Sequence, residues 1–99
     1  MKSTKEYSPA EITLARTLAR MLRTRRKELK LSQEQVALAA NIDRNTYQLM
    51  ESGLSDRATN SLLNPHLFTL MAIAQVLELS LADVMAKAQA DYRAAIAAK

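Results

Sequence analysis

The chain has 99 residues, enough for one domain with a real core and too few for two. Its 17 Ala and 15 Leu stand against one Gly, two Pro and one Phe, which points to an all-α fold and excludes a β-sandwich with its repeated turn chemistry. The formal net charge is +4, there is no cysteine for a disulfide or thiolate site, and no apolar run approaches the roughly 18 residues of a membrane span.

The first eleven residues, MKSTKEYSPAE, have no apolar stretch behind their charges and do not read as a secretory signal. A cytoplasmic protein is expected, with residues 1–8 as a flexible N-terminus. Ser8-Pro9-Ala10-Glu11 then opens a helix: Ser8 caps it, Pro9 suits its first position, and Glu11 completes a capping box. Ile12, Ala15, Leu18, Ala19, Leu22, Arg26 and Leu29 recur at helical spacing and predict a helix over about 9–30. Residues 16–30 hold seven bases against one acid, Glu28. Arg16, Arg20, Arg23 and Lys27 line a face beside the apolar one. Such a stripe suits an anionic partner (DNA, RNA or an acidic membrane) or is simply a solvated helix face.

Ser32-Gln33-Glu34-Gln35 is a second capping box, and it starts a short helix with Val36, Ala37 and Ala40 inward. That helix stops at Asn41, the residue after Gly that best tolerates a left-handed conformation. Asp43 caps a third helix of about 44–52, which ends at the only glycine, Gly53. Residues 54–64 read as a long loop. Asn64-Pro65 restarts a helix with Leu67, Leu70, Ile73, Ala74 and Leu77 on one face, and Ser80 caps a last helix that runs almost to Lys99.

Two short helices joined by about three residues make a helix-turn-helix over 32–53. Small Ala37 lets them cross closely. Here the sequence resembles the helix-turn-helix family of the phage repressors and Cro, also called the xenobiotic-response-element type. Leu31-Ser32-Gln33, Ala37, the turn at Asn41-Ile42, Glu51-Ser52-Gly53, and then Pro65, Thr69-Leu70, Ile73-Ala74 and Leu77 carry the resemblance. It spans about residues 18–85. Asn41 replaces the usual Gly, and the loop after Gly53 is longer than usual; in relatives that loop touches the DNA backbone. Tyr47 stands where the family has an aliphatic residue. Its ring is expected to fill the core slot while its hydroxyl reaches the surface, or else to shift the helix.

The resemblance implies a five-helix, repressor-like DNA-binding domain over 9–86, with a C-terminal helical extension over 87–99. The third helix would enter the major groove with Arg44, Asn45, Gln48 and Leu49 at the bases. Gln33, Arg25, Lys27 and Thr46 are the expected phosphate contacts. Arg26 falls on the apolar face of the first helix, where an unpaired guanidinium would be very costly, so an ion pair with Glu51 is expected to join the first and third helices. The stripe of Met85, Ala88, Tyr92 and Ile96 in the last helix must lie on something, either the chain's own core or, as the favoured expectation, a second copy in a homodimer.

His66, the only histidine, has no cluster of acids around it and reads as a surface or capping residue rather than a metal ligand. The chain offers no parts for nucleophilic, zinc or phosphate-cradling catalysis, so neither an enzyme nor a cofactor is expected. The expected function is a sequence-specific regulator of transcription on double-stranded DNA, acting as a repressor and not at a membrane. The alternatives are an antitoxin that also binds a partner toxin and a purely structural helical bundle.

Overall fold

A computed structural model describes residues 6–98, and the expected flexibility of residues 1–5 lies outside the described residues. The elements in chain order are α1 (Pro9–Glu28), α2 (Gln33–Ala40), α3 (Arg44–Glu51), β1 (Leu54–Asp56), β2 (Ser61–Leu62), α4 (Leu67–Val76) and α5 (Leu81–Ala97). Both capping boxes form. Ser8 Oγ accepts from the Glu11 N–H at 3.1 Å while Glu11 Oε1 accepts from the Ser8 N–H at 2.9 Å. Ser32 and Gln35 make the same exchange at 3.0 and 2.8 Å. Asp43 caps α3, and Ser80 caps α5. Helix α4 starts two residues later than Asn64-Pro65 suggests, with His66 as its cap residue and no side-chain bond from the imidazole.

Helix ends need residues that tolerate positive φ, and one glycine cannot serve them all. Gly53 (φ 78°) follows α3, and Asn41 (φ 58°) ends α2. Lys30 (φ 58°) and Glu78 (φ 54°) do the same after α1 and α4, a use that their residue types do not signal. Each of the three non-glycine turns closes by a six-residue bond: Leu31 N–H to Arg26 O, Ile42 N–H to Ala37 O, and Leu79 N–H to Ala74 O. A left-handed residue with a Cβ is strained by about 1–2 kcal/mol, part of which glycine's greater unfolded freedom takes back. Lys30→Gly should therefore raise stability by about 0.5–1 kcal/mol, seen as a melting temperature a few degrees higher. Unchanged or lower melting would show that Lys30 is not strained there.

The core brings together Ala15, Leu18, Ala19 and Leu22 of α1, Val36, Ala37 and Ala40 of α2, Tyr47 and Met50 of α3, Leu63, Leu70, Ile73 and Leu77 around α4, and Val84 of α5. The predicted loop over 54–64 is instead a small antiparallel hairpin, with Leu54 opposite Leu62 and Asp56 opposite Ser61. Its strands are two and three residues long, too short to show an alternation in sequence. The Asp56 carboxylate accepting from the Ala58 N–H and Asn60 at φ 54° make the turn. The hairpin also holds Tyr7, whose hydroxyl accepts from the Leu62 N–H at 3.4 Å, so the expected flexible segment 1–8 is engaged at Tyr7 and Ser8.

Helix α5 lies along α1. Thr17, buried in α1, donates to Asp91 Oδ2 at 2.8 Å, and Lys87 and Arg20 approach the same carboxylate at 3.1 and 3.9 Å. The Thr17 hydroxyl first and Lys87 second hold the Asp91 carboxyl below its ordinary range. Ala88, expected at a dimer interface, is 1% exposed within a single chain. It cannot meet a second copy, because a small side chain at the α1–α5 contact is what lets the helices approach. Tyr92 is half-buried, while Met85 and Ile96 remain exposed. The stripe thus takes the own-core alternative at its centre.

Candidate nucleic-acid interface

The turn of Asn41, Ile42 and Asp43 sets α2 against α3, and Ala37, 2% exposed, sits where the two meet. The inward face of α3 presents Tyr47, Met50 and Glu51 to the core. Its outward face presents Arg44, Asn45, Thr46 and Gln48, all exposed, with Leu49 half-buried beside them. The backbone N–H groups of Asn45 and Thr46 are taken by the Asp43 carboxylate. Arg44, Asn45 and Gln48 therefore project their own polar groups from a short, capped and rigidly seated helix.

Glu51 seats it. Arg26 Nε donates to Glu51 Oε2 at 2.6 Å and Nη2 to Oε1 at 2.9 Å, a two-pronged pair that links α1 to α3. The third nitrogen, Nη1, donates to Leu31 O at 2.9 Å at the end of α1. Gln33 Nε2 donates to Glu51 Oε1 at 3.0 Å and brings in α2, and Arg23 donates to the Glu51 carbonyl at 3.0 Å. One buried carboxylate thus ties three helices. Burial opposes its charge, but Arg26 first, then the adjacent Tyr47 hydroxyl and the Gln33 amide, together outweigh burial and hold its carboxyl below the ordinary range.

Tyr47 corrects one expectation. Its ring fills the core, but its hydroxyl does not reach the surface: the residue is fully buried, and among the described residues the hydroxyl meets no partner in hydrogen-bonding geometry, although the Glu51 carboxylate and the Arg26 guanidinium lie beside it. Burial first, and the polar contact with the adjacent Glu51 carboxylate second, push the phenol far above its ordinary range. A buried hydroxyl without a partner loses its water for nothing in return. Tyr47→Phe should leave stability unchanged or raise it by up to about 1 kcal/mol. A loss of more than that in chemical unfolding would mean that the hydroxyl bonds Glu51.

The basic stripe of α1 is largely an internal set of staples. Arg25 Nε donates to Leu77 O at 2.9 Å, Nη1 to Glu28 at 3.2 Å, and Nη2 lies 3.9 Å from Glu78. Arg25 was expected at a phosphate; it pins the end of α4 to α1 instead, because the chain turn at Leu77 brings an unpaired carbonyl to the guanidinium. Arg20, Arg23 and Arg26 are engaged as described above. Arg16, Lys27 and Lys30 are exposed without an ion pair within 4.0 Å among the described residues. Gln33, also expected at a phosphate, shares its amide with Glu51, although the first backbone N–H groups of α2 lie beyond the reach of intrahelical bonds. Thr46 faces a cleft of about 220 Å³ shared with Ser55, Asn64 and His66. Arg57, the single base in the stretch 54–64, is exposed on the hairpin just after α3. No group of three or more metal-ligating side chains that could hold an ion occurs among the described residues. No single helix there is long and apolar enough to cross a membrane.

These elements coincide with a family match. Residues 22–84 match the helix-turn-helix family of Cro/C1 type, nearly two thirds of the chain. The chain belongs to that helix-turn-helix family. The match begins in the middle of α1 and ends in the first turn of α5, so it contains the Arg26–Glu51 pair, the α2–α3 turn and all of α4. No curated protein matches the chain. Membership makes it a DNA-binding transcriptional regulator, and the outward face of α3 is where a helix-turn-helix protein of this family meets the major groove.

Proposed function

We propose that this helix-turn-helix protein is a sequence-specific repressor that binds double-stranded DNA as a homodimer in the cytoplasm. One observation carries the reading: among the described residues Arg44, Asn45 and Gln48 make no side-chain hydrogen bond or ion pair, on the exposed face of a helix anchored by Glu51. Arg44 suits a bidentate pair with guanine, Asn45 and Gln48 suit adenine, and the apolar edge of Leu49 suits a thymine methyl. Lys27, Thr46 and the start of α2 with Gln33 are the proposed phosphate contacts, joined by Arg57 on the hairpin. Arg25 is not among them. Repression then needs only occupancy of the operator, and the reading involves binding rather than chemistry.

Selection of bound duplexes from a random pool, followed by a salt titration of the winner, tests this. The expected result is a recurring sequence in two inverted halves, with log affinity falling linearly against log salt concentration. Bound duplexes with no shared sequence would overturn the reading.

A further inference from the structure

A cleft of about 410 Å³ lies between the start of α1 and the middle of α5, lined by Glu11, Leu14, Met85, Ala88, Gln89 and Tyr92. Its size falls within the range of small-molecule sites, about 300–1,000 Å³, and so does its make-up, an apolar wall with a few polar groups. Glu11 is the single charged side chain among the described residues that line it. We propose that this cleft is an effector site for an amphipathic organic cation, an ammonium carried on an aromatic or branched apolar body.

Charge selects the cation. Between Pro9 and Ala15 the only ionised side chain of α1 is Glu11, and the run of bases starts beyond it at Arg16. On α5, Lys87 and Asp91 pair with each other at 3.1 Å, and Arg93 does not line the cleft. Glu11 Oε1 already accepts from the Ser8 N–H, but a carboxylate has about four acceptor directions, so the capping bond does not exhaust it. The half-buried ring of Tyr92 adds a π face for the same ammonium, and Leu14, Met85 and Ala88 cover the apolar body. Size excludes a helix of a second copy. One turn, about 10–12 Å across and 5.4 Å long, already fills on the order of 500 Å³, more than the cleft holds.

Position links the cleft to α3. Leu14 and Met85 also line an adjoining cleft of about 180 Å³, together with Leu63, Asn64 and Pro65. Those last three residues line the cleft that Thr46 faces as well, so one short segment lies between the cation site and the first turn of α3. A ligand that shifts this segment shifts the seat of that turn, and the coupling acts in both directions. This link to DNA rests on the proposed reading of α3; the cation site itself does not.

Calorimetric titration of the full chain with 4-phenylbutylammonium, 4-phenylbutanol and 4-phenylbutyrate tests the proposal, because the three probes share a body and differ in head-group charge. The ammonium should bind saturably and at least ten-fold tighter than the alcohol, and the carboxylate should bind weakest. Glu11→Gln keeps an acceptor for the capping box and should bring the ammonium to within about three-fold of the alcohol. Gln89→Lys, at an exposed position away from the cap, should do the same with unchanged circular dichroism. Absence of saturable binding, equal binding of the three probes, or an ammonium preference that survives both variants overturns the site. Sedimentation that shows a dimer dissociated by all three probes alike would give the cleft to a second copy and overturn it too. On the selected duplex, saturating ammonium should change wild-type affinity at least three-fold and leave Gln89→Lys unaffected; an unchanged wild-type affinity overturns the effector role. A chain that selects no DNA sequence but still prefers the ammonium defeats the proposed function and leaves the cation site standing.

Discussion

Replacing Glu51 with alanine should destabilise the domain by about 3–5 kcal/mol, because Arg26 would stay buried with its charge uncompensated. The loss is a large share of the roughly 5–15 kcal/mol that holds a domain together. Each kcal/mol moves the melting temperature of a domain this size by about 4–8 °C, so a thermal scan reads the effect directly. Glu51→Gln keeps the shape and one acceptor but removes the charge, and it should fall between wild type and alanine. Unchanged melting of Glu51→Gln would refute the role. The pair also sets a pH dependence. The Glu51 carboxyl is held below its unfolded value, so the folded state binds fewer protons than the unfolded state through that interval. The contribution of Glu51 is therefore complete above the ordinary glutamate range and is lost as pH falls through the lower folded value. In Glu51→Gln that acid limb should flatten. Because the carboxylate also holds Gln33 and sits within α3, any residual DNA binding by the variant should weaken for all sequences alike.

Replacing Arg44 with alanine should cost about 1–3 kcal/mol of discrimination at one base position per half-site, with the fold unchanged. Arg44 makes no hydrogen bond or ion pair among the described residues, so the fold does not depend on it, and a lost bidentate contact leaves its base indifferent to identity. Repeating the duplex selection with Arg44→Ala should return the same site with that position relaxed. If preferred sequence and affinity are both unchanged, α3 is not read through Arg44. Lys27→Ala provides the contrast. A lost phosphate contact weakens binding to every sequence and reduces the salt slope by about one. Arg25→Ala should do neither and should lower the melting temperature, since it removes the link from α1 to the Leu77 carbonyl.

Helix starts, the helix-turn-helix and its outward residues were legible because they rest on neighbours in the chain. Ser8 with Glu11 and Ser32 with Gln35 are three residues apart, and Asn41 needs only its own backbone to adopt φ 58°. The burial of Tyr47 and Met50 follows from a period of 3.6, which leaves Arg44, Asn45 and Gln48 outside. Arg26 was legible for a different reason: a charge on an apolar face demands a partner wherever it comes from. Tertiary structure decided the use of groups that reach across many residues. Nothing local distinguishes Arg25, engaged at Leu77, from Lys27, left in solvent. Gln33 came to share its amide with Glu51, and Ala88 to lie buried within the single chain, only once packing had brought those surfaces together. Local hydrogen bonds and periodicity specify an element and its faces, whereas the partner of a long polar side chain depends on which helix ends come within its reach.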